Sequence, residues 1–147
     1  MNKLIAIASG GGHWIQLNRL APAFAGLKVT WISTSTSYRD DRHENFLSVP
    51  DANINKKIHL AVVFLKCIYI VAKIRPDFIV TTGAAPGILM IIAGRLFGAK
   101  TLWIDSIANS EDLSSSGKIA RKIAHRCISQ WPIVAKKYSI ECWGGVI

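Results

Sequence analysis

Acidic residues are few in this chain of 147 residues: nine Asp and Glu stand against 18 Lys and Arg, for a formal net charge of +9. A surplus of that size points to an anionic partner such as nucleic acid, a phosphorylated substrate or lipid headgroups. Charged residues make up only 18% and hydrophobic residues 50%, which excludes intrinsic disorder, a coiled coil and a low-complexity tail. Cysteine is also sparse. Cys67, Cys127 and Cys142 are odd in number, with no CxxC and no paired histidine spacing, so neither a disulfide framework nor a metal site is expected and a reducing cytoplasm is the simpler setting. Long apolar runs are missing. Ile58–Leu65 and Cys67–Ala72 are split by Lys66 and fall short of the ~20 residues that span a bilayer. The N-terminal MNKLIAIASGGGHW breaks into glycines too soon for a secretory h-region. The chain is therefore not expected to cross a membrane, which leaves a place on a membrane surface open.

Short apolar runs alternate with longer helical patterns, the signature of βαβ units and a parallel sheet in one α/β domain over residues 1–147. The pattern predicts strands at Leu4–Ile7, Val29–Ser33, Phe78–Thr82, Thr101–Ile104 and Arg126–Ser129, with a last short strand near Ile140–Gly144. Helices are expected near Trp14–Phe24, Lys56–Arg75, Pro86–Phe97 and Gly117–His125. Pro86 suits a helix's first turn, Gly98 a C′ position, and Pro76-Asp77 separates a helix from the next strand. Thr34–Asn55 is the one long irregular stretch.

Ser9-Gly10-Gly11-Gly12-His13 follows the first strand and opens the first helix, where free backbone N–H groups and the helix dipole favour an anion. The dinucleotide fingerprint needs a glycine where Ile15 stands and an acid where Ser33-Thr34-Ser35 stand, and no Gly-Lys-Ser/Thr follows; no cofactor is expected. His13 adds a side chain of the type that ordinarily titrates near neutral pH. The plainer alternative is that three glycines only make a tight β–α turn. A second such turn, Thr82-Gly83-Ala84-Ala85-Pro86-Gly87, lies on the same ligand-collecting edge of the sheet, so the two turns can share one anion. Gly94, in an apolar helix, is expected to serve packing. Trp103-Ile104-Asp105-Ser106 puts a carboxylate beside the crevice, either as a catalytic group or as the cap of a nearby loop. Ser106 and Asn109 join Ser9, Gly10, Gly11, Gly12, Gly83 and Ala84 as candidate substrate contacts.

The helix Lys56–Arg75 confines its polar residues to its ends and to a stripe of His59, Lys66 and Lys73, seven residues apart. Packing on a sheet uses an apolar arc of ~100°, and this helix offers far more. Lys56, Lys57, Lys66 and Lys73 with Phe64 and Tyr69 are the candidate membrane contacts, lysines meeting anionic lipid. The alternative is a helix covered by a partner subunit or by Thr34–Asn55. A second basic surface, Lys118, Arg121, Lys122, His125 and Arg126, opposite Ile119 and Ile123, has the pattern of a solvated face.

Taken in order, Ser9-Gly10-Gly11-Gly12-His13, Arg75-Pro76-Asp77 leading into Thr82-Gly83, Trp103-Ile104-Asp105-Ser106, Gln130-Trp131-Pro132 and Trp143-Gly144-Gly145-Val146-Ile147 resemble the acceptor-side half of GT-B glycosyltransferases of the MurG type. More closely they resemble the acceptor-binding membrane subunit of two-subunit UDP-sugar glycosyltransferases of dolichol-linked glycan and bacterial exopolysaccharide or capsule synthesis. The resemblance covers essentially the whole chain. It implies a Rossmann-like open parallel sheet with helices on both faces, and a polyprenyl-diphosphate-linked saccharide as acceptor. It also implies a separate donor-binding subunit that brings the UDP-sugar, and a peripheral place on the cytoplasmic face of the cell membrane. The chain ends where a donor-binding half would begin, so activity is expected only with that partner. The first turn would hold the acceptor diphosphate and His13 would deprotonate the acceptor hydroxyl, with Asp105 a second catalytic candidate. Two departures stand out: the eukaryotic subunit's N-terminal membrane helix is missing, and relatives usually carry Glu where Asp105 stands. A non-catalytic nucleotide-binding or scaffold protein is the alternative. Nucleic-acid binding is disfavoured, because the basic residues are scattered and no recognition motif is present.

Overall fold

The computed structural model describes residues 1–53 and 55–145. Six strands, β1 (Lys3–Ile7), β2 (Lys28–Ser33), β3 (Phe46–Ser48), β4 (Phe78–Thr81), β5 (Lys100–Ile104) and β6 (Arg126–Ile128), form one sheet in the order β3-β2-β1-β4-β5-β6. Every pairing is parallel. The chain steps outward from β1 through α1 (Gly12–Arg19) to β2 and β3. It then returns along α2 (Lys57–Ile74) to lay β4 against the other side of β1. α3 (Ala85–Leu96), α4 (Ser115–Ile123) and α5 (Pro132–Tyr138) follow β4, β5 and β6. This reversal makes β1 and β4 neighbours, with Leu4 opposite Phe78 and Ile7 opposite Thr81. A crevice opens beyond their C-terminal ends, at the position where open α/β sheets bind ligands.

Alternation along the strands divides the core. Ile5, Ile7 and Ile79 face α2 and α3, packing on Val63, Cys67, Val71, Met90 and Ala93. Leu4, Ala6 and Val80 face the other way, onto Trp14, Leu17 and Phe24. A Cβ on Gly94 would run into the Ile79 side chain, so this glycine lets α3 lie close on the sheet. All three cysteines are unpaired, and burial pushes the thiols of Cys67 and Cys127 up to about 12.

Several expected boundaries shift. The first helix stops at Arg19 and gives way to a 3-10 turn over Ala21–Phe24, because Pro22 brings no N–H and its ring blocks a continuing α-helix. The fourth begins at Ser115, capped by the Ser114 hydroxyl. The strand expected at Ile140–Gly144 reduces to a single bridge between Ile128 and Glu141, while the unforeseen α5 occupies the space before it. Val146 and Ile147 lie outside the described residues. The stretch Thr34–Asn55 is less irregular than expected: it holds a 3-10 turn at Thr36–Tyr38 and the edge strand β3.

His43 anchors that stretch. It is 3% exposed, ringed by Trp14, Trp31 and Phe46 with centroids 5.2, 4.8 and 6.1 Å away, and its Nε2 donates to Asn18 Oδ1 at 2.8 Å. Burial lowers its pKa, against the opposing pull of Asp40 and with a smaller push from Arg42. The unfolded chain then takes up this proton first, so the neutral ring's contribution is complete above the ordinary histidine pKa of ~6.5 and is lost as pH falls below it. Melting temperature is expected to drop between pH 7.5 and pH 5.5, and to drop less in His43→Asn; equal losses in both proteins would place the acid sensitivity elsewhere.

Candidate functional site

The two glycine-bearing turns meet at the β1–β4 reversal. Gly11 caps α1 with φ 66° and Ala84 caps α3 with φ 71°, and neither helix has a side-chain cap or an acidic residue in its first turn. The α4 terminus differs, since Ser114 Oγ accepts from the Gly117 N–H at 2.8 Å. Ala84 is not a glycine, and such a backbone costs about 1–3 kcal/mol, a strain that clusters at ligand sites. Among the described residues the N–H groups of Gly12, His13 and Trp14 on α1, of the cap Ala84 and of Ala85 on α3 have no acceptor. A Cβ on Gly11 or Gly12 would meet nothing within 4 Å. Two uncapped, positively polarised helix ends thus face open space at one place.

His13 joins the two turns. Its Nδ1 lies 2.9 Å from the Thr82 carbonyl, which can only accept, so Nδ1 carries the proton and Nε2 of the neutral ring carries the lone pair. The Thr82 hydroxyl donates back to the His13 carbonyl at 2.6 Å. The ring lies so close to Gly83 that a Cβ there would stand 2.6 Å from it. Tyr38 closes the outer side: its hydroxyl accepts from the Gly11 N–H at 2.9 Å and leaves no room for a Cβ on Gly10. One amide of the turn is therefore already taken. Ser9, half-buried, ends this first turn's strand side.

Asp105 lies on the same edge and is 2% exposed. Its Oδ1 accepts from Trp103 Nε1 at 3.0 Å and from Ser114 Oγ at 2.6 Å. Its Oδ2 accepts from Asn109 Nδ2 at 3.0 Å and from the Ser114 N–H at 3.1 Å. Both oxygens are thus engaged in holding the loop before α4. Ser106 and Asn109 are drawn inward with it, Asn109 on Asp105 and Ser106 Oγ accepting from Gln16 Nε2 at 3.2 Å. Gln16, which the sequence did not flag, and Gln130, visible there only as part of the Gln130-Trp131-Pro132 motif, complete this floor. Gln16 Oε1 accepts from Gln130 Nε2 at 2.8 Å and from the Ile107 N–H at 3.2 Å. Gln16 stands one helical turn after His13, so α1 ties the glycine turn to the loops after β5 and β6.

The candidate membrane residues fall along α2. Lys56, Lys57, Lys66, Tyr69 and Lys73 are exposed. Phe64 is not: it is half-buried against the core, because the face it shares with Cys67 and Val71 packs on the sheet. The exposed apolar members are Ile58, Val62, Leu65 and Tyr69, at spacings of four, three and four. No described helix is long and apolar enough to cross a membrane, and no group of described residues has a metal-binding arrangement. Away from the crevice, Asp112 joins the second basic surface to α5, accepting from Lys118, Tyr138 and Lys137, which hold its carboxyl well below the usual carboxylate range.

The sequence family described as "Oligosaccharide biosynthesis protein Alg14 like" matches residues 47–147. The chain is 31% identical over 84 residues to a protein of Mus musculus named "UDP-N-acetylglucosamine transferase subunit ALG14", covering 53% of this chain and 39% of that one. It is 29% identical over 93 residues to the protein of the same name from Yarrowia lipolytica, covering 59% and 43%. The matches thus span about two fifths of each relative. Among solved structures, MurG of Acinetobacter baumannii superposes with a TM-score of 0.77 at 14% identity, over 91% of this chain and 43% of that one. A UDP-N-acetylglucosamine 2-epimerase from Rickettsia bellii gives 0.70 at 20% identity, over 94% and 41%. At such identities these two establish the fold alone: a Rossmann-like half of a two-half architecture.

Proposed function

The chain belongs to the family of Alg14-like oligosaccharide biosynthesis proteins, and from that premise we propose that it is the acceptor-binding subunit of a heteromeric glycosyltransferase of polysaccharide synthesis, lying on the cytoplasmic face of the membrane. Its donor-binding partner brings a UDP-sugar, and its acceptor is a polyprenyl-diphosphate-linked saccharide. The names of the two relatives favour N-acetylglucosamine as the sugar transferred. The observation that supports the reading best is the meeting of two uncapped helix N-termini, free of acidic residues, at the β1–β4 reversal. The free N–H groups of Gly12, His13, Ala84 and Ala85 suit the two phosphates of one diphosphate. His13 Nε2 takes the proton of the acceptor hydroxyl as that oxygen attacks the sugar's anomeric carbon; the bond to UDP breaks and UDP leaves on the partner. Asp105, with Gln16 and Gln130, positions the crevice floor.

Partner dependence is the direct test. The purified chain alone is expected to transfer no sugar from any UDP-sugar to a polyprenyl-diphosphate acceptor, and addition of the donor-binding subunit should restore turnover. Robust turnover by the single chain would overturn the reading. Full activity of the partner on membranes without this chain would make it a scaffold instead.

The membrane side has its own test. The exposed stripe of Ile58, Val62, Leu65 and Tyr69 beside Lys66 and Lys73 suits insertion into a headgroup layer. Flotation with anionic vesicles is expected to weaken with salt. Because surface lysines contribute ~1 kcal/mol each near such a layer, Lys66→Glu with Lys73→Glu should release the protein. Unchanged flotation of that double variant would mean that α2 packs on protein.

A further inference from the structure

A basic groove lies away from the crevice, between the C-terminal half of α2 and the edge strand β3. It consists of two adjoining cavities of about 470 and 430 Å³. Both are lined by Arg39, Phe46, Leu47, Lys73 and Ile74. Lys3 and Lys28 close the first, Lys66 and Tyr69 the second. Lys3 and Lys28 are the first residues of β1 and β2, so the first cavity reaches the sheet edge opposite Gly11 and Gly83 and shares no residue with the crevice.

Five cations thus line two connected cavities, and Glu44 is the one carboxylate lining either of them. Among the described residues none of the five is in an ion pair. Lys3 Nζ donates to the Ile74 carbonyl at 3.0 Å, and Lys73 Nζ stands 5.9 Å over the Tyr69 ring; Lys28, Arg39 and Lys66 have no acidic neighbour in contact. Like charges gathered around a single carboxylate, with none of them ion-paired to it, repel one another and attract an anion. The walls between them are apolar. Leu47 is 40% exposed on a strand that ends the sheet, a position that soluble proteins ordinarily blunt or cover. Tyr69 belongs both to the second cavity and to the exposed α2 stripe, so the groove opens directly onto the proposed membrane face.

We propose that this groove binds one anionic phospholipid, its headgroup phosphate among Lys28, Arg39 and Lys73 and its acyl portion along Leu47 and Tyr69 toward the bilayer. A soluble phosphate would use the cations and leave the apolar wall bare; a nucleic acid would not need that wall at all. The source of the ligand rests on the reading of α2 as the membrane face, and the experiment separates the two.

The probe is dihexanoylphosphatidylglycerol below its micelle concentration, titrated by NMR and followed at the backbone amides of Phe46, Leu47 and Ser48. The wild-type chain is expected to show saturable shifts there. Lys28→Gln with Arg39→Gln, two exposed changes outside α2, should weaken affinity about 30-fold while leaving the thermal melt unchanged. Inorganic phosphate should bind far more weakly than the lipid; equal affinity would make this a free-phosphate site and overturn the proposal. Absence of saturable shifts, or an unaltered affinity in the double variant, would overturn it as well. Flotation of the wild type without binding of the monomeric lipid would refute the groove alone. Binding of the monomeric lipid without flotation would refute the membrane reading of α2 alone.

Discussion

His13→Ala in the reconstituted pair is expected to lower turnover by ~10²–10⁴-fold, the usual worth of a positioned proton acceptor, with little loss of thermal stability. The ring is held by one hydrogen bond to the carbonyl of the buried Thr82, and because the ring itself is only half-buried its removal opens a path by which water can serve that carbonyl. The same bond makes the tautomer, since a proton fixed on Nδ1 leaves Nε2 as the base. His13→Asn separates chemistry from placement: its amide can donate to Thr82 as Nδ1 does but cannot take a proton at neutral pH. A base predicts that the asparagine variant is as slow as the alanine one. A residue that only orients the turn predicts partial rescue by asparagine or glutamine. Near-normal turnover in a folded His13→Ala pair would move the base to Asp105 or to the partner.

The sheet was legible because each long strand is an apolar run bounded by glycine, proline or polar residues. α2 was legible almost to the residue, with Lys56 and Arg75 as its two caps. β3 was not, because three residues in a polar stretch give no period to detect, and it pairs only through its contact with β2. α5 carried a start signal in Pro132, but a helix of seven residues that buries Val134 and Ala135 leaves too short a pattern. Of the site, both glycine turns and His13 could be read, because β–α turns announce themselves locally. The occupation of Gly11 by Tyr38, 27 positions away, and of Gln16 by Gln130, 114 away, could not. Asp105 shows the same limit. Its place at a strand end was visible, but the loop that folds back to surround it depends on Asn109 and Ser114, whose polar side chains suit solvent equally well.

Asp105→Ala is therefore expected to act first on stability, at a cost of about 3–5 kcal/mol, since it strands several buried donors at once. Trp103 is wholly buried, so its indole N–H, which donates to Oδ1, has no water to turn to. Ser114 loses acceptors for both its N–H and its hydroxyl, and that same hydroxyl caps α4 through Gly117. The fit is close as well as polar: a Cβ on Gly117 would come 2.5 Å from Oδ1, so the start of α4 rests directly on the carboxyl group. Loosening this loop also shifts the Asp105 carbonyl to which Gln130 donates, and so disturbs the floor shared with α1. For a chain of this length the melting temperature should fall by about 10 °C or more. Asp105→Asn should fall between wild type and alanine, because one amide oxygen still accepts while the NH₂ faces donors. Turnover of the asparagine variant, measured well below its melting point, then tells positioning from chemistry. A positioning residue leaves substantial activity in the folded fraction, whereas an unchanged melt with turnover abolished would return Asp105 to the catalytic step.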